Sequence, residues 1–576
     1  MKNKELADIF ERIAALLEIF DENVFRINSY RRVARTLGDL AEDVEVLARD
    51  GRLEEVEGIG KSTAEKIRQY LATGRIQQYE ELASKAPPEL PKLLAIPHLG
   101  PKTVAKLWKQ AGIASPAQLK EAIEKQPAKL IDLPGMGPKK VQQIRESLAF
   151  IESAGGRITL GAATELAAGL IETVRKCRGA NQVVAAGSLR RGRETIGDID
   201  LLCQAPDAAA GEIIEAFTSA DNVANVLAKG TTKGSVVLQG DVQADLRVVP
   251  KASFGAALAY FTGSKAHNVR LRELAARKGW KLNEYGLFEG DKPLAGKDEK
   301  GIYKALHLPW IAPELREDRG ELAAAGEGKL PELIQLADIR GDFHMHTLAS
   351  DGAGTIEQMI EACLARGYKY MAICDHSKGQ IQANGLDEKR LRRHVKDIHA
   401  AAKKFPDILV LAGCEVDIHK DGSLDFADDV LAELDFVMAA PHSALGMAGK
   451  EATDRLIKAM ANPHVNCIAH PSGRLINSRP GMELDIERLA KAAAAHNVAL
   501  EVNADWHRLD LRDTHIRAAV AAGAKLAICT DAHDAGSLDL VRFGVITARR
   551  GWARAADVLN TYPPANLAKW LKGRKK

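Results

Sequence analysis

The 576-residue chain has little of several things, and each shortage removes a class of protein. Its seven cysteines lie far apart and form no Cys-x-x-Cys pair. Cys203, Cys374, Cys414, Cys467 and Cys529 sit in apolar, strand-like runs, which predicts buried thiols in a reducing cytoplasm. No apolar run reaches the roughly 18 residues of a membrane helix. The start, Met1-Lys2-Asn3-Lys4-Glu5, leads into a mixed polar helix, so neither a signal peptide nor membrane association is expected. Net charge is only +3, and any affinity for nucleic acid must come from local basic patches. Histidine is scarce before residue 340: thirteen of the 16 follow it, and that break predicts a second chemistry in the C-terminal part. What remains is ordinary globular composition, 46% hydrophobic and 27% charged, at a length that predicts about two to five domains.

Residues 4–50 read as short amphipathic helices, with Leu6, Ile9, Phe10, Ile13, Leu16 and Leu17 at helical spacing. An apolar-x-Gly-apolar-Gly turn follows three times: Val56-Glu57-Gly58-Ile59-Gly60-Lys61, Ile96-Pro97-His98-Leu99-Gly100-Pro101-Lys102 and Leu133-Pro134-Gly135-Met136-Gly137-Pro138-Lys139. This is a helix-hairpin-helix pattern. Its glycines (Gly58, Gly60, Gly100, Gly135, Gly137) let backbone N–H groups at a helix start approach a DNA phosphate. His98 replaces the first glycine of the second copy. On the helix after the first hairpin, Lys66 is either a solvated lysine beside Glu65 or a Schiff-base amine for an abasic sugar, and the sequence favours the first.

The segment Gly187-Ser188-Leu189-Arg190-Arg191-Gly192-Arg193-Glu194-Thr195-Ile196-Gly197-Asp198-Ile199-Asp200 lies between two strand-like runs. Its Gly-Ser pair predicts a tight turn. Asp198 and Asp200, two apart in a strand, share a face. Adjacent carboxylates repel unless a cation lies between them, and oxygen-only pairs suit Mg²⁺ or Mn²⁺. Asp245 is isolated in the apolar strand pattern after Gln243 and is costly to bury without a cation partner. Three such carboxylates can hold two metals that clamp an in-line displacement on phosphorus. Further on, Tyr260-Phe261-Thr262-Gly263-Ser264-Lys265 reads as an exposed aromatic turn entering a helix, with Asn268 and Arg272 one turn apart on one face.

Across residues 1 to about 318 these segments, in this order and spacing, resemble the family X DNA polymerases, the polymerase-beta-like group. The resemblance implies Asp198, Asp200 and Asp245 as catalytic metal ligands. It implies Gly187, Ser188 and Arg191 as triphosphate contacts, Tyr260, Phe261 and Gly263 as a sugar-sensing turn, Asn268 as a contact to the incoming base and Arg272 as one to the template strand. Lys66 matches the family's lyase lysine and Tyr30 a neighbouring pocket residue, while Arg26 and Ser62 stand where vertebrate members carry lysine.

From residue 338 strands alternate with Ala-rich helices, the pattern of a parallel sheet or barrel with about seven strands. Six strands end in acid or histidine: His344 and His346 after Asp342, His376 after Asp375, then Glu415, His442, His470, and Asp531 with His533. The exception is Ala499-Leu500-Glu501-Val502-Asn503. Polar groups at the C-terminal ends of barrel strands converge on one mouth. With Asp351, nine nitrogen and oxygen donors are available, a set that suits two to three ions such as Mn²⁺, Zn²⁺ or Fe²⁺. Arg474 and Lys378 lie near strand ends, where solvated surface outweighs a phosphate contact. This half resembles the PHP (polymerase and histidinol phosphatase) domain over about residues 338–570, which implies those nine residues as ligands and Asp342 and Asp375 as groups that orient them.

The expected fold is therefore multidomain. It comprises 1–82, helical, DNA-binding and lyase-like; 83–154, a fingers-type helical domain with two hairpins; 155–250, an α+β nucleotidyltransferase palm; 251–318, a thumb-type nucleotide-selection domain; 319–337, a polar linker; and 338–576, an α/β PHP domain built as a distorted (β/α)7 barrel. The expected function is template-directed gap filling in DNA repair, with Mg²⁺ or Mn²⁺ in the polymerase site. The PHP half is expected to act as a 3′→5′ exonuclease or 3′-end phosphoesterase. Gapped or nicked DNA and dNTPs are the partners, and the chain is expected to be cytoplasmic and monomeric. Two alternatives stay open: a PHP half that is a metal-stabilised scaffold, and a core that transfers nucleotides without a template.

Overall fold

The computed structural model describes residues 2–39, 43–56, 58–96, 98–153 and 155–573; Glu57, Pro97 and the expected boundary at 154 lie outside them. The chain divides into two compact units, Met1–Ala154 and Gly155–Lys576. The described part of the first is helical throughout. Its long opening helix, Lys2–Ile19, buries Leu6, Phe10, Ile13 and Leu17 completely, as their helical spacing requires.

The second unit contains a five-stranded palm sheet: β1 (Gln182–Ala185), β2 (Asp198–Gln204), β3 (Val223–Lys229), β4 (Lys233–Leu238) and β5 (Gln243–Val249). Their order is β1-β2-β5-β4-β3, with only β2 and β5 parallel. Ile199, Leu201 and Cys203 on one face of β2 join Ala167, Leu170, Ile213 and Phe217 of two flanking helices in a core, which leaves Asp198 and Asp200 on the other face. A one-turn helix, α1 (Gly187–Arg190), stands between β1 and β2. After the sheet come α2 (Phe254–Thr262) and α3 (Lys265–Ala276).

The segment expected to be a polar linker is packed. It carries a helix, Glu321–Gly326, and buries Glu321, Ala325, Leu333 and Ile334. Glu321 accepts from the Asp318 and Arg319 amides and lies 2.6 Å from His267 Nδ1, contacts that composition alone does not announce.

The C-terminal part is a sheet of seven parallel strands in sequential order: β6 (Gly341–Asp342), β7 (Tyr370–Ile373), β8 (Leu409–Asp417), β9 (Phe436–Ala440), β10 (Cys467–Ile468), β11 (Ala499–Asn503) and β12 (Leu526–Cys529). A parallel bridge between Met345 and Ala532, just beyond the first and last strands, nearly closes it into a barrel. Residues of one parity, among them Phe343, Tyr370, Phe436, Met438 and the small Cys374, Cys467 and Cys529, form one core; those of the other parity pack against the helices. Phe343 lies between Tyr370 and Phe436 with ring centroids 5.3 and 5.2 Å away. All seven cysteines are free. Two helices follow late in the chain, α4 (Asp513–Ala521) and α5 (Val541–Arg550).

Candidate active sites

Asp198 and Asp200 share a face of β2, and the parallel register sets Asp245 of β5 directly beside Asp200. Burial first, then the Asp198 and Asp245 charges, push the Asp200 carboxyl up to about 7 against the pull of Arg247 and Arg191. Three carboxylates in that arrangement fit a divalent cation with oxygen preference: it would relieve the repulsion that raises Asp200. Lys233 Nζ, 3.5 Å from Asp245, compensates part of the charge.

Gly187 brings the backbone onto this cluster. Its φ is +57°, and a Cβ there would lie 2.2 Å from Asp200 Oδ2, so a larger residue would strain the backbone and displace the Asp200 carboxylate. The expected tight turn at Gly187-Ser188 is instead the start of α1, closed by the Arg190 amide donating to Ala186 O and the Arg191 amide to Gly187 O. Arg190 forks onto Glu299 at 2.8 and 2.7 Å, and its Nη1 also donates to Thr262 Oγ1 at 2.6 Å. Arg191 is only 12% exposed; its Nε donates to Glu317 at 3.0 Å and its Nη1 to Thr262 O at 2.8 Å.

The aromatic pair differs from expectation. Tyr260 and Phe261 are half-buried in the last turn of α2, rings 5.1 Å apart and edge-on, with the Arg247 guanidinium 4.6 Å over Phe261. The turn proper is Gly263-Ser264. Asn268 Nδ2 donates to Tyr260 O (2.6 Å) and Gly263 O (3.1 Å), which ties the end of α2 to α3, and Arg272 lies one turn further on, exposed. The apolar α2 sequence explains the difference, since it buries Phe254, Ala256, Ala257 and Ala259 and runs on through Thr262.

At the barrel mouth the donors converge. Three sets of ligand atoms lie within 4.8 Å of one another: His346, Asp351, His376 and His533; His344, His346 and Asp531; and His376, Glu415 and His442. His470, outside those sets among the described residues, places Nε2 2.8 Å from Glu415. His344 Nε2, His346 Nδ1 and His470 Nδ1 are buried with no hydrogen-bond partner, a costly state that a metal would relieve, so the donor set fits metal ions. The protein's own charges split these imidazoles. Burial and then His533 press His346 down to about 4. Burial is the largest influence on His376 and His442 too, but it is overcome by Glu415 together with Asp351 at His376, lifted to about 10, and by Glu415 together with Asp417 at His442, lifted to about 9. His470 (φ +24°) and Asp531 (φ +54°) hold left-handed backbone, strain of the kind stored at functional sites.

Asp342 braces the Thr530 end of β12 through the Thr530 hydroxyl (2.6 Å), and Asp375 accepts from Thr347, Ser350 and His394. Sequence reasoning missed Glu501, 2.7 Å from His344 Nδ1, and Asp417, 2.6 Å from His442 Nδ1; each leaves the other ring nitrogen, Nε2, facing the donor cluster. The signal was present, for Glu501 is a lone acid in an apolar strand like Asp245. Arg474 is not solvated surface. It is 4% exposed, with Nη1 on Glu194 at 2.8 Å and Nη2 on Leu509 O. Lys378 is exposed and paired with Glu388 at 2.6 Å.

In the helical unit, Gly58 (φ +91°) and Gly135 (φ +83°) take left-handed backbone, and His98 takes it at φ +70° in the second hairpin. Gly60 and Gly100 cap the helices Lys61–Thr73 and Pro101–Ala111, and Gly137 precedes Pro138–Ser153. A Cβ on Gly60, Gly100 or Gly137 would meet nothing within 4 Å, so these turns present open backbone. Lys66 Nζ donates to Ser62 Oγ at 2.6 Å, and Tyr30 donates to Gln78 at 2.6 Å.

Family comparisons match this layout. A helix-hairpin-helix domain model covers residues 1–76 and a SAM-like helix-hairpin-helix tandem 89–149, while a DNA polymerase beta thumb model covers 257–317 and a PHP domain model 342–505. The "DNA polymerase/3′-5′ exonuclease PolX" of Bacillus subtilis is 38% identical over 99% of this chain and all of its own length. The chain belongs to the family X DNA polymerases that carry a PHP domain. As such it is an enzyme that works on DNA with dNTPs and divalent metal. Over about a third of its length the chain is also similar to shorter proteins named probable phosphatases. That of Shewanella frigidimarina is 32% identical over 34% of this chain and 79% of its own length; that of Caldicellulosiruptor saccharolyticus is 32% identical over 28% and 64%. Among the described residues no helix of this family X polymerase is long and apolar enough to cross a membrane.

Proposed function

We propose that this family X polymerase fills gaps in damaged DNA, in base-excision or break repair, and trims 3′ ends with its PHP domain. The observation that supports the first activity is the register that sets Asp245 beside Asp200, whose carboxylate lies against the Gly187 backbone, with Asp198 on the same strand face. Asp198, Asp200 and Asp245 would hold two Mg²⁺ or Mn²⁺ ions, which supply activation of a primer 3′-hydroxyl and neutralisation of the departing pyrophosphate. Gly187, Ser188 and Arg191 receive the triphosphate. Tyr260, Phe261 and Gly263 test the sugar, Asn268 the incoming base and Arg272 the template strand. Gly58, Gly60, Gly100, Gly135 and Gly137 bring helix N-termini to backbone phosphates, so DNA affinity does not depend on sequence.

In the PHP domain, His344, His346, Asp351, His376, Glu415, His442, His470, Asp531 and His533 would hold two to three Mn²⁺, Zn²⁺ or Fe²⁺ ions, which supply Lewis-acid activation of water and of a phosphoryl oxygen. The chain's own part is to fix ring orientation through Glu501 and Asp417 and to keep the donors buried. The name of the Bacillus subtilis relative supports a 3′→5′ exonuclease. The enzyme acts as a cytoplasmic monomer on gapped or nicked DNA.

Incorporation of dNTP on gapped DNA tests the first activity; Asp245→Ala should abolish it with the fold intact, and retained incorporation would overturn the three-carboxylate site. The sequence favours a solvated Lys66 over an amine that attacks an abasic sugar, and borohydride trapping on 5′-abasic DNA decides between them: an adduct lost in Lys66→Ala assigns the amine, and absence of any adduct leaves Lys66 solvated.

A further inference from the structure

The loop that carries Arg191 is braced by the PHP side of the same unit. Arg550, buried at the end of α5, donates Nη1 to the Arg191 carbonyl at 2.6 Å and to Glu317 Oε1 at 3.1 Å. Its Nε and Nη2 hold Asp513, the first residue of α4, at 3.1 and 2.7 Å. Glu317 is shared: the same Oε1 accepts from Arg191 Nε at 3.0 Å, and Arg193 Nη1 lies 3.6 Å from Oε2. Gly192, at φ +64°, closes on α5 so tightly that a Cβ would lie 2.1 Å from Ile546 Cγ2. Arg474 Nη1 on Glu194 at 2.8 Å and Arg319 Nη1 on Asp513 at 2.9 Å flank the contact.

The charges in this contact are uneven. Three guanidinium groups, those of Arg191, Arg193 and Arg550, share the buried Glu317 carboxylate, and Asp513 adds a second carboxylate on Arg550 alone of the three. Burial would raise that carboxyl; Arg550 first and then Arg191 hold it below the usual carboxylate range. Arg550 therefore draws part of Glu317's charge away from Arg191 and pins the Arg191 backbone. Without it, Glu317 can settle fully on Arg191 and Arg193, and the loop loses its only described tie to the Arg550 side chain. Less positive charge then remains for an arriving triphosphate, because a buried guanidinium already neutralised by a carboxylate gains little from a second anion.

The geometry points to Arg550 of the PHP domain as a positioning residue for the polymerase site, acting through Glu317 on the nucleotide contact Arg191. This rests on the reading of Arg191 as a triphosphate contact. It makes the PHP domain a working part of nucleotide binding in addition to its own chemistry.

The test uses the full-length chain on one gapped DNA, with steady-state dNTP kinetics and exonuclease activity measured for each variant. Arg550→Met, close in length and uncharged, should raise KM for dNTP roughly tenfold, the scale of ordinary coupling between sites, with kcat within about twofold and exonuclease activity unchanged. Arg550→Lys should recover part of the loss, and adding Glu317→Gln to Arg550→Met should remove most of it. An unchanged KM in Arg550→Met overturns the proposal if Arg191→Ala raises KM. A parallel fall of both activities also overturns it, since that marks a contact needed only for folding. If Arg191→Ala itself leaves KM unchanged, the triphosphate role of Arg191 fails, and the coupling fails with it.

Discussion

A single methyl group at Gly187 would lie 2.2 Å from an Asp200 oxygen, on backbone already at φ +57°. Gly187→Ala is therefore expected to lose nucleotide incorporation while circular dichroism and exonuclease activity persist; full incorporation would show that the Asp200 carboxylate is not held against this turn. Glu299 makes a different prediction. Burial would raise its carboxyl, but Arg190 and Arg316 bring it from an ordinary 4.5 down to about 2. A depressed carboxyl contributes stability above its unfolded pKa and loses it as pH falls toward the folded one. The stability gap between the wild type and Glu299→Gln should be full above about pH 4.5 and narrow below it, as read by urea denaturation at each pH; a gap that widens on acidification contradicts the pairing. In the PHP site, Glu501→Gln should weaken metal binding about 10- to 100-fold, as loss of a ligand-orienting partner does, measured by Mn²⁺ titration. At this scale Asp198, Asp200 and Asp245 were legible because strand periodicity and an acid in an apolar run are local signals. Glu317, 126 residues from the Arg191 it binds, left no such trace.

Among elements, the hairpins were the most legible, because a left-handed turn before a helix demands a glycine that can be read off the chain. His98 shows where that demand is broken: it holds φ +70° with a side chain. His98→Gly should raise stability by up to about 1 kcal/mol by removing the strain of left-handed backbone, checked by chemical denaturation of the full chain; a clear loss would mean the imidazole has a compensating contact. Tyr260 and Phe261 do not form the expected exposed turn because the turn residues proper are Gly263-Ser264, and the apolar, Ala-rich run before them carries the helix through Thr262. The packing of the segment after residue 318, expected to be a polar linker, has no such local signal. Its polar residues, Glu321 above all, are satisfied by partners far along the chain or by neighbouring backbone, and composition does not distinguish a solvated acid from a paired one.

For the whole molecule, the histidine break and the alternation of strands with helices announced a seven-stranded barrel with its donors at one mouth, and seven parallel strands are present. The contact between the loop that carries Arg191 and α5 was not legible, since it joins the Arg191 carbonyl to Arg550 across 359 residues. Two phosphate chemistries in one chain is the central claim, and one gapped, 3′-labelled DNA incubated with dNTPs and Mn²⁺ tests it most directly. Asp245→Ala should stop extension and leave 3′ degradation; His344→Ala should stop degradation and leave extension. If either substitution removed both activities in a folded protein, or if neither removed its own, the assignment of two separate centres would be wrong.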